Sequence, residues 1–307
     1  MINIYHNTVG QKKLKKIKDF SAFSWISVVR PEKDEIKEIS KFLKLPWDVL
    51  EDSLDEFELP RVKVVGKSVV IILRAGIGDK ELYKTVPLTI ILSEKHITTI
   101  TPQENAVIED LASEKVEIYT TQMSNFFIKV CLRIIDYYQN YINVINRSVQ
   151  NKKRNLNQIR KKDILILVEN EEILNNFAAS LSPTINIIKK ILQHNYISLY
   201  HQDKELISDL LVDGEQVLEL CLTNIKTIRN IRDGYTTAMS IDMNLTIQIL
   251  TYITAIFTIP MVIASAYGMN IKLPFAEADN LFFFLAGGTV LVIVFLMVLF
   301  TIIRKRT

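Results

Sequence analysis

Cysteine is scarce in this 307-residue chain, which has only Cys131 and Cys221, far apart. That excludes a disulfide framework and a thiolate zinc site. Both read as free packing thiols in a reducing compartment. Histidine is also rare. His6, His96, His194 and His201 are scattered, and the last two, seven apart, have no third ligand nearby. Glycine numbers 9 and proline 8, and no glycine-rich phosphate loop or G-x-S-x-G turn occurs. No catalytic constellation forms, so neither an enzyme nor an organic cofactor is expected. A large excess of charge of one sign is lacking too. A net charge of +3 is no nucleic-acid footprint, and the basic runs at 12–16 and 152–154 read as solvated faces. The start has no apolar signal-peptide core, so targeting is expected to lie elsewhere.

Long apolar runs are present, both near the C-terminus. No residue from Met243 to Ile271 is charged, and none from Leu281 to Ile303. A hydrocarbon core roughly 30 Å thick needs about 20 apolar helical residues. Both runs meet that, and in lipid they must be helical to satisfy their own backbone. Lys226, Arg229 and Arg232 precede the first run, and Arg304, Lys305 and Arg306 follow the second. Positive residues stay in the cytoplasm. A multi-pass protein of the cell membrane is therefore expected, with both termini cytoplasmic and a short outer loop. That loop contains Glu277 and Asp279, which would attract cations.

The first run ends in Tyr267-Gly268-Met269-Asn270. Glycine there can free a carbonyl, and asparagine adds a neutral amide oxygen. Oxygens of that kind at a pore mouth can hold a hydrated cation without stripping its water, which Mg²⁺ releases reluctantly. Leading back from Gly268, one face carries Ser265, Met261, Thr258, Thr254, Thr251, Leu250, Ile247 and Asn244. Such a small, mostly polar stripe either packs helices closely or lines water.

A Tyr-Gly-Met-Asn motif ending the first of two C-terminal membrane helices resembles the signature of the CorA magnesium transport family. The resemblance implies a funnel-shaped homopentamer, with Tyr267, Gly268, Met269 and Asn270 as the outer selectivity site. It implies that the polar stripe lines the pore, with Asn244 as its inner asparagine and Asp233 as an acidic ring at the cytoplasmic mouth. Asp209 matches the stalk carboxylate of a regulatory metal site between subunits, its partner being Asp79 or Glu81 of a neighbour. The expected partners are further copies of the chain, membrane lipid and divalent cations. The resemblance implies Mg²⁺ as both cargo and regulator. Zinc-active members often vary the middle motif residue, so Met269 favours Mg²⁺. Two departures stand out: Pro260 lies one residue nearer the motif, and Thr258 replaces a methionine.

Upstream, residues 1–118 read as an α/β (α+β) domain. Strands are expected at Ser24–Val29, Val69–Leu73, Pro87–Leu92 and His96–Thr101, where β-branched residues dominate. Turns fall at Gly66-Lys67 and Glu94-Lys95, so antiparallel pairing is expected. Helices are expected at Lys33–Leu43 and Asn105–Ala112. The acidic stretch from Trp47 to Arg61 reads as a solvated helix and loop. It also resembles a D-x-x-E-x-P-R segment of CorA relatives (Asp55, Glu58, Pro60, Arg61).

Residues 119–202 turn helical, with Phe127, Val130, Cys131, Ile134, Ile135, Tyr138, Ile142 and Ile145 on one stripe. A second helix runs from Leu165 to about Asn195. A stalk helix over 203–267, spaced near 3.5 residues per turn, continues into the first membrane span. The remaining segments are an outer loop at 268–280, a second span at 281–303 and a basic tail at 304–307. Two other functions stay open. The same architecture could move Co²⁺, Ni²⁺ or Zn²⁺, or the hairpin could only anchor a cytoplasmic binding module.

Overall fold

β-branched runs become strands where expected. β3 (Ser24–Val29) and β7 (His96–Thr101) match the expected bounds, while β5 (Ser68–Ile77) and β6 (Lys84–Leu92) are longer. The computed structural model describes residues 1–8, 13–78, 83–154, 159–194, 196–269 and 280–306. The expectations for Asp79, Glu81, Asn270, Glu277 and Asp279 fall outside the described residues. Three further strands, β1 (Ile2–His6), β2 (Lys15–Ile17) and β4 (Arg61–Val65), were not foreseen. Two of them are sheet edges, in order β2-β1-β3-β7-β6-β5-β4. Edge strands tend to be short and charged, as β2 with Lys15 and Lys16 and β4 with Arg61 and Lys63 are, which obscures their pattern.

Five of the six pairings are antiparallel, and β3–β7 is parallel. The β4–β5 hairpin turns on Gly66-Lys67, and Gly66 takes the positive φ of 60° that glycine adopts freely. One sheet face carries Ile26, Val28, Val70 and Ile91. They pack with Ile36 and Ile39 of α1 (Lys33–Leu43) and Val49 and Leu50 of α2 (Trp47–Glu51). The other face carries Trp25, Ile71, Leu73, Leu88 and Ile90. They pack with α3 (Ala106–Ala112), α4 (Met123–Arg154) and α5 (Lys161–Gln193). Alternation along each strand sends neighbouring side chains to opposite layers, so helices cover both faces.

The acidic stretch is the expected helix and exposed loop, and polar contacts brace it. Arg74 donates to the carbonyls of Glu56 and Glu58, both at 2.9 Å, and Arg61 pairs with Asp52 and with Glu58 at 3.2 Å. The backbone N–H of Phe57 is held by Asp55 at 2.9 Å.

α6 runs from His201 to Tyr267, 67 residues, and α7 from Leu281 to Arg306. At the start of α6, Asp203 accepts from the backbone N–H of Tyr200 at 3.1 Å, satisfying a donor just before the helix. The chain divides into two units, Met1–Arg232 and Asp233–Thr307, with the boundary inside α6. Within the first unit, Ile207, Leu210, Val217, Cys221 and Ile228 of α6 join the α4–α5 core. A Cβ on Gly214 would lie 3.0 Å from Ile135 Cδ1 and 3.2 Å from Ile185 Cγ1. Gly214→Val is therefore expected to cost about 1–3 kcal/mol by overpacking. Gly214→Ala should fall near neutral, because the roughly 1 kcal/mol gain in helix propensity offsets a small clash. Thermal unfolding of both variants checks this.

Candidate ion pathway

The second unit, among the described residues, is made chiefly of the rest of α6 and of α7. Among the described residues, one helix is long and apolar enough to cross a membrane, α6, and its apolar window is wholly unburied within the chain. A shorter apolar stretch, Phe283–Val298, lies in α7. Exposed aliphatic and aromatic side chains such as Ile253, Phe257, Val262 and Phe295 need an apolar solvent or partner.

The polar stripe lies on this exposed part of α6. Asn244, Ile247, Leu250, Thr251, Thr254, Thr258, Met261 and Ser265 are all exposed in the single chain. Its threonines share one geometry. Thr251 donates to the Ile247 carbonyl at 2.8 Å, Thr254 to Leu250 at 2.9 Å and Thr258 to Thr254 at 2.7 Å. Each hydroxyl has one proton, so each oxygen then offers only lone pairs outward. The stripe is a row of acceptors. Water bound to a cation points its hydrogens away from the ion, and acceptors are what such a shell requires. Pro260, within α6, has no N–H for the carbonyl one turn back.

At the end of α6, Gly268 donates to the Ala264 carbonyl at 3.0 Å and Met269 to that of Ala266 at 3.4 Å. Gly268 does not adopt a left-handed φ; the helical bonding pattern persists through it, and a Cβ there would lie 3.3 Å from Ala264 O. Tyr267 is half-buried, and Gly268 and Met269 are exposed. Asp233, the first residue of the second unit, is exposed.

Asp209 lies on α6 within the first unit and is exposed. Among the described residues no three His, Cys, Asp or Glu side chains gather as a metal-holding group. Both thiols are buried and free, and burial pushes Cys221 up to about 12.

Sequence reasoning missed Glu171. It is 8% exposed and holds Arg229 Nε at 2.7 Å and Arg232 Nη1 at 3.0 Å, tying α5 to α6 where the first unit ends. A signal was present. Glu171 falls on the apolar stripe of α5 between Leu167 and Leu174, where a charge needs a partner.

An α/β/α body whose last helix continues into a lipid-suited run, followed in the chain by a second apolar helix, defines a class of membrane protein with an apolar helical C-terminal region. The chain belongs to the CorA-like Mg²⁺ transporter protein family, whose model matches residues 20–306. These are membrane transporters. The chain is 24% identical over 289 residues to the cobalt/magnesium transport protein CorA of Methanocaldococcus jannaschii, covering 90% of this chain and 89% of that one. The complete structure of the CorA magnesium transporter from that organism matches with a TM-score of 0.85 at 21% identity, covering 98% of this chain and 97% of that one. A ZntB cytoplasmic domain from Vibrio parahaemolyticus matches at 0.65 with 9% identity, covering 78% of this chain and 97% of that one. These structural likenesses speak to the fold.

Proposed function

We propose that five copies of this chain form a channel that admits Mg²⁺ to the cytoplasm, closed by cytoplasmic Mg²⁺. The observation that carries this is the row of threonine oxygens on α6, whose protons are all committed to backbone carbonyls. Hydrated cations suit such a wall.

The roles follow the chain. Residues 1–118 and 119–202 form the cytoplasmic body, 203–267 the stalk and first span, 268–280 the outer loop, 281–303 the second span and 304–307 a cytoplasmic tail. Tyr267, Gly268, Met269 and Asn270 form the outer filter, and Glu277 and Asp279 raise the local cation concentration. Asn244, Ile247, Leu250, Thr251, Thr254, Thr258, Met261 and Ser265 line the conduit to Asp233. The membrane potential supplies about 2.3 kcal/mol per charge per 100 mV.

Regulation is assigned to Asp209. It is exposed and has no intrachain hydrogen bond or ion pair among the described residues, so it is available to a neighbour. Mg²⁺ is held by one or two carboxylates and completes its shell with water, which Asp209 plus Asp79 or Glu81 of the next copy can supply. When the ion leaves, repulsion between carboxylates loosens the stalks.

Mg²⁺ uptake into liposomes carrying the purified protein, with internal Mg²⁺ varied, tests this reading. Flux that falls as internal Mg²⁺ rises is the expected result. Asp209→Ala should raise flux at high internal Mg²⁺ by at least ~5-fold, a typical coupling strength. Absence of flux from a well-folded oligomer would overturn it.

Flux of Co²⁺, Ni²⁺ or Zn²⁺ in place of Mg²⁺ would keep the architecture and change the cargo. An anchored binding module has one observation in its favour. A cavity of about 650 Å³ in the first unit is lined by Lys67, Ser93, Ser124, Tyr196 and Asp203 among others. A chain that stays monomeric in detergent would favour it.

A further inference from the structure

The pore leaves one strongly charged surface unused. From Tyr137 to Lys162 the sequence has no acidic residue and seven basic ones: Arg147, Lys152, Lys153, Arg154, Arg160, Lys161 and Lys162. The seven flank the connection from α4 to α5. Lys152 pairs with Asp163 across the two helices. The other six are exposed and make no ion pair among the described residues. Leu165, also exposed, adds an aliphatic side chain beside them.

The place of this cluster within the first unit gives it meaning. α5 and α6 run antiparallel. Ile185 lies beside Gly214, Cys221 donates to the Leu174 carbonyl at 3.2 Å, and Glu171 holds Arg229 and Arg232. As numbers fall along α5 they rise along α6. Lys161 is ten residues before Glu171, about 15 Å of helix toward the end at which α6 leaves the unit. Arg232 is the last residue of that unit, and the uncharged run begins at Met243, eleven residues farther along the chain.

We propose that the basic end of the α4–α5 hairpin binds the anionic phosphate headgroups of the leaflet that α6 enters. It would act as a peripheral lipid contact in each copy, separate from the ion conduit. This rests on the reading of α6 as a membrane span. Unpaired lysines and arginines beside an anionic leaflet gain about fivefold in affinity each, within a Debye length of the surface. A solvated face has no reason to exclude acids over so long a stretch and to keep its cations unpaired.

The full-length chain in bilayers tests this. Asn151 is exposed between Arg147 and Lys152. The two native cysteines are buried, so Asn151→Cys can be labelled alone with a fluorophore. Quenching by headgroup-spin-labelled lipid is then compared in phosphatidylcholine bilayers with and without phosphatidylglycerol. The expected result is stronger quenching with phosphatidylglycerol, weakened by salt. In the variant K153E/R154E/K161E/K162E the anionic-lipid-dependent part should fall at least ~10-fold. Oligomer size and bilayer insertion of that variant are checked alongside, so misfolding cannot imitate the result. Equal quenching in both lipids, or no loss on charge reversal, would overturn the proposal. Equal quenching with charge-dependent retention of labelled single-stranded RNA would overturn it in favour of a nucleic-acid face. A chain washed from the bilayer by alkaline carbonate would end both this proposal and the spanning reading. Phosphatidylglycerol-dependent quenching without Mg²⁺ flux would uphold the lipid contact and sink the channel.

Discussion

Asn270→Ala is expected to reduce Mg²⁺ flux at least ~100-fold while leaving oligomer size unchanged. Mg²⁺ holds its water firmly, so a filter must grip the hydration shell rather than the bare ion. A neutral amide oxygen accepts from such water without the slow release that a carboxylate imposes. A hydrogen bond to a charged partner is worth roughly 1.5–3 kcal/mol. A symmetric ring would lose one such group from every copy at once, so the effect multiplies. Ion uptake into liposomes, wild type beside variant, is the measurement. Normal flux through the alanine variant would remove the outer filter from the mechanism. Asn270→Asp sharpens the test. A ring of carboxylates should bind the ion more tightly and pass it more slowly, so flux falls while apparent affinity rises.

The second large effect concerns the body. Asp110 is 2% exposed in α3 and accepts from Lys115 at 2.7 Å, from the Tyr137 hydroxyl at 2.7 Å and from Arg133. Burial alone would raise its pKa. The hydrogen bonds from Lys115, Tyr137 and Arg133 outweigh burial and lower it from 3.8 to about 2. Asp110→Ala leaves the Tyr137 hydroxyl and one arm of Arg133 without their acceptor, and α3 keeps only its apolar packing on α4. Breaking a buried pair costs about 3–5 kcal/mol. Lys115 and Arg133 keep some access to water, which places the expected loss at about 3 kcal/mol. Thermal or denaturant unfolding of the purified chain measures it.

The same carboxylate has a pH signature. Its folded pKa lies below its unfolded one, so its contribution is fully present above the unfolded value near 3.8. It declines as the pH falls toward about 2. The shift corresponds to about 2 kcal/mol. The stability gap between wild type and Asp110→Asn should therefore be constant near neutrality and narrow in acid. A gap that stays constant through that acid range would show that Asp110 acts through shape and not through charge.

Local pattern makes much of the architecture legible in the sequence. The bilayer's thickness sets how long an uncharged run must be, and the two C-terminal runs satisfy it by composition alone. β-branched density placed β3 and β7, and the periodic stripe from Phe127 to Ile145 placed α4, because strand and helix periods are written residue by residue. Asn105 caps α3 by accepting from Val107 N–H at 2.9 Å, a boundary its side chain announces. The hydroxyl stripe on α6 was visible as spacing. That each threonine gives its proton to a carbonyl four residues back, and so shows water only lone pairs, needed the helix itself.

Tertiary structure alone decided the rest. The parallel union of β3 with β7 joins segments far apart in sequence, and no turn signal encodes it. β1, β2 and β4 become strands through the neighbours they pair with more than through their own composition. Arg74 and Asp110 look like ordinary charges in the sequence, and Glu171 is marked there only by the apolar stripe it falls on. Each became structural when folding carried it out of water and obliged it to find partners 5 to 61 residues away. The cost of leaving a buried charge unpaired acts only in the folded chain. That is why the apolar spans could be read from the sequence and the ionic ties between helices could not.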